Sequence, residues 1–257
     1  MHHLVMFSGG VCSWAAAKRV VERHGAENTD LLFADTKMED EDLYRFLDEA
    51  AANVGASHFF KIADGRTPWQ VFEDEKLIGN ARQDPCSKLL KRKLLDRWQK
   101  DHHYNRENTV LHFGLDWTES NRLDRLRARR PGWKVEAYMT ERPFMEKDRM
   151  LEWLDREGIA PPRLYKLGFH HNNCGGFCVK AGQAQFALLL RTMPERYKFH
   201  EDNEERLRTL LNFRHTILRD HIGNKTRPLS LKQFRERIEA QGTFDKFDWG
   251  GCGCAID

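Results

Sequence analysis

The stretch "LVMFSGGVCSWAAAKRVVERHG" (Leu4–Gly25) decides the fold. Leu4 to Phe7 read as a short buried strand, and Ala15, Ala16, Val20 and Val21 recur at helical spacing. Between them stands Ser8-Gly9-Gly10. Glycines let the backbone turn sharply and approach a ligand closely. The first amides of a helix lack internal partners, and the helix dipole adds partial positive charge there. Strand, Gly-Gly, serine and helix start therefore form a cradle for an anion, most often phosphate, from Ser8, Gly9, Gly10 and Ser13. A Cβ at Gly9 is expected to intrude where phosphate meets backbone. The plainer alternative is a tight turn with Ser13 as a helix cap.

Further along, "DLLFAD" (30–35), "HFFKI" (58–62) and "TVLHFG" (109–114) read as strands. A helix follows the second strand, with Thr36 and Glu39 spaced as a capping box. Residues 62–83 read as an irregular loop holding Trp69. "PCSKLLKRKLLDRWQK" (85–100) and "TESNRLDRLRARR" (118–130) read as helices. Alternation of this kind predicts an α/β protein with a doubly wound, mostly parallel, Rossmann-like sheet covered on both faces. Ligands bind such sheets beyond the carboxyl ends of the strands, where Gly9, Asp35 and Gly114 fall. After about residue 145 the pattern turns helical to Ala240, with a second capping box at Ser230 and Gln233. The expected division is an α/β domain carrying the phosphate cradle over 1–145, then a cysteine loop, helices and a cysteine-bearing tail over 146–257.

The 257 residues are 40% hydrophobic and 32% charged, with a formal charge of +3, as in a globular protein. That charge is too small to imply nucleic acid by itself. No apolar run could span a membrane, and Ser8-Gly9-Gly10 interrupts any signal-peptide core, so the expected location is the cytoplasm. Six cysteines there do not suggest a disulfide framework. Cys86, Cys174 and Cys178, a remote thiol plus a C-x3-C loop, suit a soft metal or an iron–sulfur cluster; zinc and no metal remain open. The glycine-rich tail "DWGGCGCAID" is expected to fold back so that Cys252 or Cys254 completes a four-thiolate site with Cys86, Cys174 and Cys178. The basic residues of 88–97 and 122–134 are either solvated faces or a nucleic-acid surface.

Ser8-Gly9-Gly10-Val11-Cys12-Ser13 resembles the SGGxxS loop of PP-loop ATP pyrophosphatases. "FADTKMEDEDLYRFL", "DPCSKLLKRKLL", "GLDWTESNRLDR" and "LYKLGFHHNNCGGFC" are similar, in order, to segments of phosphoadenosine phosphosulfate reductase-like proteins of the same adenine nucleotide alpha-hydrolase-like superfamily. The resemblance covers roughly residues 4–180. It implies that Asp35 meets ribose or adenine, and that Glu119 and Arg122 flank the phosphates, with Arg122 neutralising charge. It also implies ATP (or adenylylsulfate) as ligand, magnesium, and a [4Fe–4S] cluster on cysteines. Cys12 stands where many ATP-using members carry Asp. The implied activity is cleavage of ATP to AMP and pyrophosphate, with an adenylylated intermediate used in sulfur transfer to a nucleic acid or small metabolite. The alternatives are a sulfonucleotide reductase, for which the resemblance implies a nucleophile at Cys252 or Cys254 of the tail, and a metal-stabilised nucleotide or nucleic-acid binding module without chemistry.

Overall fold

The computed structural model describes residues 1–222 and 225–241. Five parallel strands form the central sheet: β1 (His2–Met6), β2 (Thr29–Asp35), β3 (His58–Ala63), β4 (Thr109–Phe113) and β5 (Lys134–Glu136). Their order is β3-β2-β1-β4-β5, and all four pairings are parallel. The chain winds outward from β1 in one direction and then, from β4, in the other. The reversal between β1 and β4 opens a crevice beyond their carboxyl ends. β2 and β4 are buried along their whole length, as strands covered on both faces must be.

Alternation along the strands assigns two cores. Val5, Phe7, Leu31 and Phe33 face α1 (Val11–His24), α2 (Glu41–Val54) and α6 (Lys147–Arg156). Leu4, Met6, Leu32, Ala34, Leu111 and Phe113 face the other way. That side is covered by α5 (Ser120–Arg129) and by α4, which comprises Pro85–Ser87, a π-helical Lys88–Lys93 and Leu94–Asp101. Each fully buried Leu or Phe contributes about 1.5–3 kcal/mol by leaving water.

A third core joins α3 (Pro68–Asp74) to the later helices: α7 (Arg163–Lys166), α8 (Gln183–Thr192), α9 (Pro194–Leu210) and α10 (Leu231–Gln241). Trp69, Phe72, Phe177, Phe186, Tyr197 and Phe234 are its large members. Trp69 Nε1 donates to His200 Nδ1 at 3.0 Å across it.

Four local expectations differ from the structure. Helix α2 begins at Glu41, and its cap is Asp40, which accepts from Asp42 N; Thr36 and Glu39 instead bond each other in the interior. The supposed loop 62–83 contains α3, started by a capping box of Thr67 and Gln70. A hairpin of β6 (Leu218–Ile222) and β7 (Lys225–Leu229) interrupts the helical C-terminal part. Buried Glu204 organises it, accepting from Ile217 N and Leu231 N on either side of the hairpin. The short edge strand β5 was not anticipated. The Ser230–Gln233 capping box is present.

At the amino end of the sheet three histidines meet. His3 Nδ1 lies 2.9 Å from His112 Nε2, His3 stacks on His24 at 3.7 Å, and His24 Nε2 reaches the Tyr138 hydroxyl at 2.7 Å. Burial, then neighbouring histidines, lower His3 to about 4 and His112 to about 3. A His with a depressed folded pKa stabilises the fold above its unfolded value near 6.5 and loses that contribution as pH falls toward the folded value. Glu204, raised to about 7 by burial, acts in the opposite sense. Comparison with a His3→Gln/His112→Gln variant isolates the pair. Between pH 6.5 and 4, denaturant unfolding should show wild type losing more stability than the variant, by on the order of a few kcal/mol. Parallel pH dependences would contradict the buried neutral pair.

Candidate active site

Gly10 is the N-cap of the fourteen-residue α1 and has extended backbone angles, while Gly9 holds φ +78°. The positive φ favours glycine here, and a Cβ on Gly9 would also lie 2.3 Å from Leu43 Cδ1, so the loop packs closely on α2. Gly114, at the end of β4, is tighter still. A Cβ there would stand 2.5 Å from Ser13 Cα and 2.6 Å from Ser13 N. The carboxyl end of β4 thus lies directly on the first turn of α1. The Ser13 hydroxyl donates to Gly10 O at 2.8 Å, bracing the turn from inside.

A cleft of about 160 Å³ opens here, at the strand-order reversal. Ser8, Gly10, Cys12 and Ser13 line it from the loop; Gly114, Asp116, Glu119 and Arg122 line it from the β4–α5 connection. The resemblance-implied residues Ser8, Gly10, Ser13, Gly114, Glu119 and Arg122 therefore come together. Arg122 and Glu119 form an ion pair on the cleft wall. Asp35 does not line the cleft. Its carboxylate accepts from Lys37 N at 2.8 Å and Tyr44 OH at 2.9 Å and pairs with Lys37 Nζ at 2.9 Å.

Several lining residues were given no role by the sequence. The Tyr165 hydroxyl accepts from Val11 N at 3.3 Å and keeps its own proton to donate into the cleft; burial pushes the phenol up to about 12. Lys147 sits over the Tyr165 ring at 4.1 Å and donates to His170 O, with burial lowering its pKa. Asn172, 2% exposed, donates to Gly9 O at 3.3 Å, and its Oδ1 has no hydrogen-bond partner among the described residues. Tyr165 belongs to the quoted Tyr-x-x-Gly-Phe stretch, so its motif was visible although its contact was not. Cys12 is not poised as a nucleophile: burial, then Asp116, push its thiol up to about 12, outweighing the helix N-terminus.

Cys86, Cys174 and Cys178 converge on an adjoining cavity of about 20 Å³. Cys174, Gly175 and Gly176 all have positive φ, turning the chain tightly. A Cβ on Gly175 would meet Arg196 Nη2 at 1.9 Å. Among the described residues no group of three or more His, Cys, Asp or Glu is arranged to hold a metal ion. The expected cluster or zinc is thus unsupported by the described residues alone. Cys252 and Cys254, expected as ligand and nucleophile, lie outside the described residues.

Lys91 lines both cavities and is 8% exposed, so this member of the basic run is no solvated charge. It projects from the π-helical stretch, an irregularity frequent at functional sites. Its ammonium lies 3.8 Å from Glu39, which also accepts from Thr36 and from Cys174 N. Burial raises the Glu39 pKa against the pull of Lys91.

No protein-family model matches the chain, and no curated protein matches it. Among solved structures it is similar to a phosphoadenylyl-sulfate (PAPS) reductase from Candida auris, determined as a phosphate complex. The identity is 13% and the TM-score 0.46, over 66% of this chain and 80% of that one. The α/β fold stands on the sheet itself.

The contact of β4 with α1 can be tested through Gly114→Ala. The added methyl meets backbone that cannot rotate away, so thermal unfolding should show a loss of about 1–3 kcal/mol. Nucleotide affinity should fall with it. An unchanged melting temperature would contradict the packing described.

Proposed function

We propose that the cleft binds the phosphates of an adenine nucleotide and that the chain is a PP-loop enzyme. In this reading it cleaves ATP between the α and β phosphates and passes the adenylyl group on for sulfur transfer. The observation that carries it is the Ser8–Ser13 loop at the start of α1, set at the strand-order reversal and faced by Arg122, Lys147 and Lys91. The α1 amides and the Tyr165 hydroxyl would hold phosphate oxygens. Arg122 and Lys147 would neutralise charge that grows on the leaving pyrophosphate. Asp116 and Glu119 are the carboxylates that would face a magnesium ion carried in on the nucleotide.

In the first step an acceptor oxygen bonds to Pα and the Pα–O bond to Pβ breaks, its electron pair leaving with pyrophosphate. In the second, a sulfur nucleophile displaces AMP from the acceptor. A thiolate-bound metal would belong beside this site, its chemistry being to bind or position sulfur. It would need donors beyond Cys86, Cys174 and Cys178, and no step is routed through it.

One observation favours a second reading, a sulfonucleotide reductase. The loop presents the neutral thiol of Cys12 where a carboxylate would help hold a metal on ATP. There a cysteine thiolate attacks the sulfur of an adenylylsulfate, the S–O bond breaks and the nucleotide departs; a second thiol then displaces sulfite, leaving a disulfide.

Calorimetry with ATP should show binding that Arg122→Ala and Lys147→Ala each weaken by about tenfold, the worth of one charge-assisted contact. Pyrophosphate release from ATP supports the first reading, and sulfite release from adenylylsulfate the second. Absence of binding by either nucleotide would overturn both.

A further inference from the structure

A larger concavity than the cleft lies away from it. A groove of about 840 Å³ runs between α4 and α5 and the two loops that lead into β4 and β5. It therefore opens at the amino end of the sheet, opposite the Ser8–Ser13 loop. Five cationic side chains line it, Arg92, Lys100, Arg106, Arg129 and Arg130, against two carboxylates, Asp96 and Glu107. Both basic runs of the sequence contribute.

The cations fall into two sets. Arg130 pairs with Asp96 at 3.1 Å and Arg92 with Asp84 at 3.3 Å, which fixes them as walls. Lys100, Arg106 and Arg129 are exposed and make no ion pair among the described residues. A positive groove with uncommitted cations on its rim is the arrangement a phosphodiester backbone requires.

Two further features exceed what a simple anion needs. Tyr104 and Trp133 are half-buried in the lining, offering ring surface on which unstacked bases can lie. Tyr104 is anchored, its hydroxyl donating to Asp30 Oδ2 at 2.8 Å, and it stacks with Trp98 at 5.4 Å. Gln99 also lines the groove. It is 1% exposed, its Nε2 donates to Leu95 O at 3.0 Å, and its Oε1 has no hydrogen-bond partner among the described residues. A base amino group or a sugar hydroxyl would supply that missing donor.

We propose that this groove binds a single-stranded segment of nucleic acid, with Lys100, Arg106 and Arg129 on the phosphates and Tyr104 and Trp133 against bases. A duplex fits less well, because its stacked bases could not reach the rings. RNA and DNA share the chemistry named here. They differ in the 2′-hydroxyl, the group best suited to meet Gln99. The groove and the cleft share no lining residue, so this proposal does not rest on the nucleotide chemistry proposed above.

The test is fluorescence anisotropy of the full chain with labelled single-stranded 12-mers of one sequence, as RNA and as DNA. Affinity should fall with salt at a log–log slope of about −2, as expected for three phosphate contacts on a single strand. The Lys100→Glu/Arg106→Glu/Arg129→Glu variant alters exposed side chains only. It should keep its circular dichroism and its ATP affinity while losing about tenfold or more in oligonucleotide affinity. A Gln99→Leu loss confined to RNA would identify RNA as the ligand; an equal loss for both would assign the contact to a base. No binding of either 12-mer at low salt, or a triple variant that binds like wild type, would overturn the proposal. Retained ATP binding in that event would leave the cleft reading intact.

Discussion

The structure depends on one contact, the end of β4 lying on the first turn of α1. Gly114 presents no side chain, so the β4 backbone closes to within a Cβ radius of Ser13. That approach sets the spacing at the crevice where the strand order reverses. It also brings the Asp116–Arg122 segment opposite the Ser8–Ser13 loop. Were β4 held away by even a methyl group, the two walls of the cleft would part. Gly9 does the same on the other flank, letting Leu43 of α2 press on the loop. The cleft is thus a product of backbone packing, and its charged side chains are laid over a closely packed frame.

Charge in the cleft is balanced rather than uniformly positive. Lys91, Arg122 and Lys147 face Asp116, Glu119 and, behind Lys91, Glu39. Such a set stays satisfied without ligand and can still offer cations to an incoming anion. Lys91 has the widest reach, since it borders both the cleft and the cysteine cavity. Its buried partner Glu39 is tied through Cys174 N to the Cys174–Cys178 loop, and Arg196 of α9 donates to Met38 O and Glu39 O. The Cys174–Cys178 loop is thus tied through Glu39 to Lys91, which borders the cleft, by groups with little exposure to water.

The parallel sheet was legible because its strands are short, apolar and punctuated by the glycines that mark their ends. Pattern reading failed where a local motif has more than one use. Thr36 and Glu39 have the spacing of a helix cap yet bond each other in the interior, whereas Thr67 and Gln70 have the same spacing and do cap a helix. Only burial separates the two, and burial is a tertiary property. The β6–β7 hairpin was hidden for a similar reason: its strands are largely polar, and buried Glu204 organises it from thirteen residues away. In the site, loop residues were readable from their order along the chain. Tyr165, Lys147 and Asn172 come more than a hundred residues after the Ser8–Ser13 loop, so no spacing revealed their contacts with it, although Tyr165 and Asn172 lie in a quoted motif stretch.

The central claim is that phosphates sit at the start of α1. The most direct measurement is a crystal structure of the full chain with a non-hydrolysable ATP analogue. Phosphate oxygens are expected within hydrogen-bonding distance of the amides of residues 10–13 and the Tyr165 hydroxyl, facing Arg122 and Lys147. Phosphates bound instead in the groove between α4 and α5, with the loop untouched, would contradict it.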